Sequence, residues 1–177
     1  MTDASTVAGV PAPAIERRDD IGRLIAMTWF GNGVHAESGN NRWLLAVDGS
    51  ECSLRAAAMA ARLAALGHDG EVDIVHVQAW LVKEAAETEL ARRSWAATAQ
   101  ARLLLDSASV RWRLHVLMGE AAAQIVSLAE TPGLAGSNGF NGIVIGSRGQ
   151  SMAESLMLGS VAEKVVHQVG LPVMIVR

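Results

Sequence analysis

Cysteine is almost missing. Cys52 is the single one in 177 residues, which rules out an internal disulfide. The five histidines lie scattered, without the close Cys or acidic companions that zinc spacing needs. A reducing compartment, the cytoplasm, fits that usage. Long apolar runs are missing too: no stretch approaches the roughly 18 residues a membrane helix requires. The N-terminus, MTDASTVAGVPAPAIERRDD, carries an early acid and no basic start leading into an apolar run, so it does not read as a signal peptide. Excess positive charge is also lacking. A formal net charge of -3 gives no general attraction to phosphate backbones or anionic lipid, which argues against nucleic acid and membrane as partners. Any anion must therefore be held locally.

Half of the positions are hydrophobic, enough to bury one sizeable core, so one domain with appendages is expected. Residues 1–14 have too few large apolar groups to offset the entropy of ordering and are expected to stay loose unless docked. From Ile15 to Phe30, Ile21, Leu24, Ile25 and Trp29 fall on one helical stripe, which predicts an amphipathic helix over 15–30. A Gly- and Asn-rich linker, GNGVHAESGNN, follows. The extension is thus taken as 1–41 and the compact domain as 42–177.

Within the domain, WLLAV (43–47), VDIVHV (72–77), VRWRLHVLM (110–118), IVI (143–145) and VMIV (173–176) read as strands. The third alternates apolar residues with Arg111, Arg113 and His115, which suggests a wet face and an edge position. Helices are expected over 54–66, 82–105, 119–129 and 160–169, and an unusually long loop with a mobile tip over 131–142. Alternating β and α units imply a parallel sheet with helices on both faces and right-handed crossovers. In such sheets ligands sit beyond the C-terminal strand ends, where strand order reverses.

One constellation falls at that place. After the strand 143–145, Gly146 and Gly149 are separated by two residues, nine more intervene before Gly159, and Ser160 follows. Glycines let the backbone turn tightly and approach a ligand, leaving amide N–H groups to face an anion. Ser160 and Glu163 have the spacing of a capping box, which marks a helix start. A helix end contributes only about 0.3–1 kcal/mol toward an anion, so several amides, the Ser160 hydroxyl and Arg148 would have to act together. Taken singly, each glycine could serve only a strand-to-helix turn, and Asp48 could serve only as a helix cap. Cys52 at a helix start and His76 on a strand are assigned structural roles.

This G-x-x-G, nine residues, G-S pattern resembles the ATP-binding signature of the universal stress protein family. Val47 to Glu51 (V-D-G-S-E), His76-Val77 and the closing Pro172 to Val176 resemble its other landmarks, so the likeness covers roughly 42–177. The resemblance implies an α/β three-layer sandwich of the Rossmann-like, adenine nucleotide alpha hydrolase-like kind, with a five-stranded parallel sheet in the order 3-2-1-4-5. Carried over by position, Asp48 and Val77 would meet the adenine, and Gly119 would lie near the ribose and phosphates. Gly146, Arg148, Gly149, Gly159, Ser160 and Val161 would hold the phosphate chain of ATP, with Mg or Mn at the phosphates. The apolar last strand, 173–176, would pair with its copy in a homodimer. A regulatory role in stress or energy status, with at most slow ATP hydrolysis, follows from the likeness. The extension and the loop 131–142 depart from the family pattern.

Other classes fit less well. A dehydrogenase needs G-x-G-x-x-G directly after the first strand, where Asp48-Gly49-Ser50 stands instead, and a P-loop ATPase needs a lysine that follows no glycine pair here. Flavin-carrying or adenylating enzymes share such sheets, but no nucleophile with a paired base stands near the phosphate turn. The strongest rival is a dimeric interaction module of the same fold that binds no nucleotide.

Overall fold

The computed structural model describes residues 9–31, 40–131, 139–149 and 157–177. Residues 1–8 of the segment 1–14 expected to be loose, most of the linker, the tip of the long loop and part of the nine-residue interval in the glycine signature lie outside these ranges.

The tract expected to be a helix forms two strands instead, β1 (Ile15–Arg18) and β2 (Leu24–Gly31). Gly22 has a φ of 76°, a left-handed value that suits glycine and closes the turn between them. The helical stripe was misleading because the tract is buried by a strand's rules. Leu24, Ala26, Met27 and Trp29 are all buried, which gives β2 two covered faces. The Trp29 indole also donates to the Pro11 carbonyl at 2.9 Å and packs 5.5 Å from the Trp95 ring.

Beyond the hairpin come β3 (Asn41–Ala46), α1 (Glu51–Ala65), β4 (Gly70–Gln78), α2 (Lys83–Ala97), α3 (Ala99–Ser107) and β5 (Arg111–Met118). α4 (Ala121–Glu130), β6 (Gly142–Gly146), α5 (Ser160–Gln168) and β7 (Val173–Val176) complete the chain. The expected single helix over 82–105 is broken at Thr98, which separates α2 from α3.

The strands among the described residues form one seven-stranded sheet in the order β1-β2-β5-β4-β3-β6-β7. The five strands from β5 to β7 run parallel. β1 and β2 add an antiparallel ribbon beside β5. The expectation of a five-stranded, wholly parallel sheet is corrected to a mixed sheet of seven, and the 110–118 strand is internal rather than an edge.

α1 lies close on the sheet because its inward face is made of small residues: Ala56, Ala57, Ala60, Ala61 and Ala64 are buried. With α2 and α3 it covers the face carrying Leu45, Val72, Ile74 and Leu114. α4 and α5 cover the opposite face, against Leu44, Val75, Ile143 and Ile145. Burying each such side chain contributes roughly 1.5–3 kcal/mol.

That second face also carries a buried ionic ladder. Arg42, wholly buried, donates to Asp73 through Nη2 at 2.8 Å and Nε at 3.2 Å. His115 Nε2 lies 2.7 Å from Asp73 Oδ1, Arg113 Nη2 donates to Glu71 at 3.2 Å, and the Phe140 ring stacks 4.8 Å from the Arg42 guanidinium. Burial alone would raise the Asp73 carboxyl, but His115 and Arg42 hold it below its ordinary range. The alternation of Arg and His along β5 is thus an alternation of buried polar pairs and hydrocarbon, not of water and core.

Candidate functional site

Chain order reverses at β3: the crossover through α1 leads to β4 on one side, and the path from β5 through α4 returns to β6 on the other. This separates the strand ends and leaves a crevice beyond their carboxyl termini. A cavity of about 400 Å³ occupies it.

Its walls come from several elements. From β3 and the following turn come Val47 and Asp48; from β4 come His76, Val77 and Gln78; from α4 come Ala121 and Ile125. β6 and its turn supply Gly146, Arg148 and Gly149, and the first turn of α5 supplies Gly159, Ser160 and Val161. Of the residues singled out in the sequence, eight meet at this cavity. Gly119 does not line it. Its amide is bound to the Gln78 carbonyl at 3.0 Å, its φ is 143°, and it turns the chain into α4.

The glycines have local reasons as well. A Cβ on Gly146 would stand 2.8 Å from the Cys52 carbonyl carbon and 2.9 Å from the Ser53 amide, so the strand end is packed directly on the start of α1. A Cβ on Gly149 would meet the Asp48 carboxylate at 2.7 Å. Asp48 itself accepts from the Ser50 amide at 2.9 Å and so holds the turn around Gly49, whose φ is 85°.

Three helices begin beside this crevice, and they differ in how their first amides are satisfied. α1 is capped by the Ser50 hydroxyl, which accepts from Ser53 N at 3.2 Å. α4 is capped by the Glu120 carboxylate, which accepts from Ala123 N at 2.7 Å and pairs with Lys164 at 3.1 Å. That arrangement holds Glu120 below the usual carboxylate range, the Ala123 amide first and the Lys164 ammonium second. α5 has no side-chain cap. The expected capping box is corrected here, since the N-cap is Gly159 and Ser160 is already inside the helix. The first intrahelical bond is Glu163 N to Gly159 O at 2.9 Å, so the amides of Ser160, Val161 and Ala162 precede it without an intrahelical acceptor. Gly159 N is satisfied by the Ser147 carbonyl at 2.8 Å, which ties the turn after β6 to the helix start.

His76 lines the crevice, and Cys52 lies next to Gly146 near the start of α1. His76 is buried, and its Nδ1 lies 2.8 Å from the Val47 carbonyl oxygen. Burial pushes its pKa down, against smaller opposing effects of the Val47 bond and the Asp48 charge, so the ring is neutral at pH 7 with its proton on Nδ1. The Cys52 thiol is raised by burial, but the Ser147 hydroxyl, Arg55 and Arg148 outweigh this and the net shift is downward. Gln78, Ala121 and Ile125 were not foreseen: an amide and two apolar groups without motif spacing give no signal until the fold gathers them. Among the described residues no group of three His, Cys, Asp or Glu could hold a metal ion, and no helix is long and apolar enough to cross a membrane.

The fold recurs in solved structures. A universal stress protein from Archaeoglobus fulgidus is 24% identical at a TM-score of 0.60, covering 77% of this chain and 93% of that one. The Archaeoglobus fulgidus universal stress protein in complex with dAMP is 21% identical with a TM-score of 0.59, covering 81% and 100%. A universal stress protein in complex with cAMP is 23% identical with a TM-score of 0.56, covering 77% and 96%. No curated protein matches the chain. The model of the universal stress protein family matches residues 39–177 and leaves the β1–β2 hairpin outside. The chain belongs to the universal stress protein family.

Proposed function

We propose that the crevice is an ATP site and that the protein is a nucleotide-dependent regulatory module, working in the cytoplasm through occupancy rather than turnover. The observation that carries this reading is the contrast among the helix starts. Only the α5 end, of the three, presents uncapped amides, and those amides open onto the cavity beside Arg148. A helix N-terminus with free N–H groups favours an anion. The Glu120 carboxylate disfavours one at α4, so the phosphates belong at Gly149, Gly159, Ser160 and Val161. The base then lies toward Val77 and Ile125, where the wall is apolar. Asp48, which also lines the cavity, meets the adenine with Val77, and Gly119 supports the ribose and phosphate side through the turn into α4. A divalent ion, Mg or Mn, would arrive with the phosphates. Two structural relatives are complexes with adenine nucleotides, which supports the choice of base. A homodimer through β7 would present two such sites.

Chromatography of nucleotide released from the purified protein tests the reading, together with melting in the presence of ATP. Saturation at about 100 times Kd should add about 2.7 kcal/mol. Protein that carries no nucleotide and melts unchanged with ATP would reject it.

A second reading has its own support. Gly146 and Gly149 each have an internal neighbour that demands glycine, so these two positions alone are consistent with a dimeric interaction module that binds no nucleotide.

A further inference from the structure

The ladder between β3 and β4 stops early, and what stops it is a side chain. In the parallel register the last pair is Ala46 with Val75, and the last rung is Val47 N to Val75 O at 2.9 Å. The next rung in the same series would be Val77 N to Val47 O. It is not formed, although Val77 shares the orientation of Val75, whose carbonyl faces β3, and the Gln78 carbonyl faces the β5 side. The Val47 carbonyl is taken instead by His76 Nδ1 at 2.8 Å. β4 meanwhile continues beside β5, with Val77 opposite Leu117 and Gln78 opposite Met118. β3 and β4 therefore part at this point, and Val47, Asp48, His76 and Val77 all line the cavity that opens there.

We infer that His76 is a positioning residue of the base subsite: its imidazole occupies the Val47 carbonyl and so leaves the Val77 amide free to donate to an acceptor ring nitrogen of a bound base. The inference rests on the nucleotide reading above and assigns that reading a device.

The chemistry requires a donor at this place that is not a backbone amide. A carbonyl oxygen can only accept, so the ring nitrogen 2.8 Å away must carry the proton. A neutral imidazole with its proton on Nδ1 meets this need and adds no charge to a buried position. An apolar residue at 76 would leave the Val47 carbonyl buried without a partner, and the Val77 amide is the donor that the parallel register sets opposite it. The ladder would then extend by one rung across the floor of the base subsite, and the amide would be lost to the ligand.

Amide hydrogen exchange and binding together test this on the full chain. In the nucleotide-free parent, the Val77 amide should exchange quickly for a residue inside a strand, and ATP should slow it. In His76→Phe, which has a ring of similar shape and no donor, the same amide should be slow without nucleotide. ATP should bind that variant about tenfold more weakly, the scale of one hydrogen bond, whereas inorganic triphosphate should bind within about twofold of the parent. His76→Asn, which restores a donor near the Nδ1 position, should recover part of the ATP affinity and the fast exchange. A role in packing alone would lower both affinities and protect no amide. A Val77 amide already slow in the nucleotide-free parent overturns the inference even if the variants do not fold, and so does His76→Phe binding ATP like the parent. If neither ATP nor triphosphate binds the parent, the nucleotide reading itself fails and takes the ligand half of the inference with it.

Discussion

Ser160→Asp separates the stability of α5 from its use as an anion site, because the two should move in opposite directions. Ser160 is exposed in the first turn of a helix without a side-chain cap. A carboxylate there faces three amides that precede the first intrahelical bond, and such a charge contributes about 0.3–1 kcal/mol. For a chain of this size each kcal/mol moves the midpoint by about 2–4 °C, so the nucleotide-free variant should melt about 1–4 °C higher than the parent. A phosphate group bound at the same amides would stand about 4 Å from the new charge, where repulsion between unit charges is about 4 kcal/mol at an effective dielectric of 20. Discounting half for side-chain freedom and screening leaves about 2 kcal/mol, a loss of about thirtyfold in ATP affinity. Ser160→Ala removes only the hydroxyl and should lose a few-fold with little change in melting. Calorimetric titration and scanning calorimetry read both quantities. Undiminished ATP binding by Ser160→Asp would refute the placement of phosphate at α5, and a lower melting point would refute the uncapped first turn.

The remaining predictions concern the frame around the site. Asp73→Ala leaves Arg42 buried without its bidentate partner, which should cost about 3–5 kcal/mol, read as a lower urea midpoint. A carboxylate held below its ordinary pKa contributes stability that is complete above about pH 4 and is lost as pH falls toward its folded value. The gap in stability between the parent and Asp73→Asn should therefore narrow below about pH 4. Gly146→Ala forces a methyl against the Cys52 and Ser53 backbone at 2.8 and 2.9 Å and should destabilise by about 1–3 kcal/mol. Gly149→Val presses on the Asp48 carboxylate, so it should weaken ATP binding with a smaller loss of stability than Gly146→Ala.

The parts of the fold that could be read in advance are those where one physical signal dominates. Continuous apolar runs such as WLLAV and IVI are what a strand covered on both faces requires, and β3 and β6 form there. Hydrophobic spacing failed where two periods fit the same letters. Ile21, Leu24, Ile25 and Trp29 fall on a helical stripe, yet the same tract closes on itself at Gly22 and pairs along β5 as β2. Polarity failed where its partner was another strand. Arg113 and His115 suggested water, but Glu71 and Asp73 on β4 supply the charges that bury them. At the site, the glycine spacing located the turn, because backbone geometry is written in glycine positions. The base end was less legible. The freeing of the Val77 amide depends on which atom meets the Val47 carbonyl, a pairing between β3 and β4 that no local pattern specifies.

The hairpin's place in the sheet bears on assembly. A sheet of this kind has two edges, and here they differ in kind. The β1 edge is four residues long with each residue exposed, carries Glu16, Arg17 and Arg18, and has a register shift between Arg17 and Arg18. Arg18 is also engaged with Glu87. Shortness, charge and a bulge are the devices that keep an edge from pairing. The β7 edge is VMIV, with Met174 36% and Ile175 39% exposed. Among the described residues, covering β5 with the hairpin leaves β7 as the edge suited to a second copy, and the proposed homodimer rests on that edge. Met174→Lys should yield a monomer by light scattering with unchanged secondary structure, since a lysine on a paired strand must be desolvated beside its symmetry mate. Glu16→Val on the opposite edge should leave the dimer intact. Deleting residues 1–31 uncovers β5, whose apolar face loses Leu24, Met27 and Trp29, and should produce larger assemblies. A parent that scatters as a monomer, or a Met174→Lys variant that still pairs, would show that the apolar edge is not the interface.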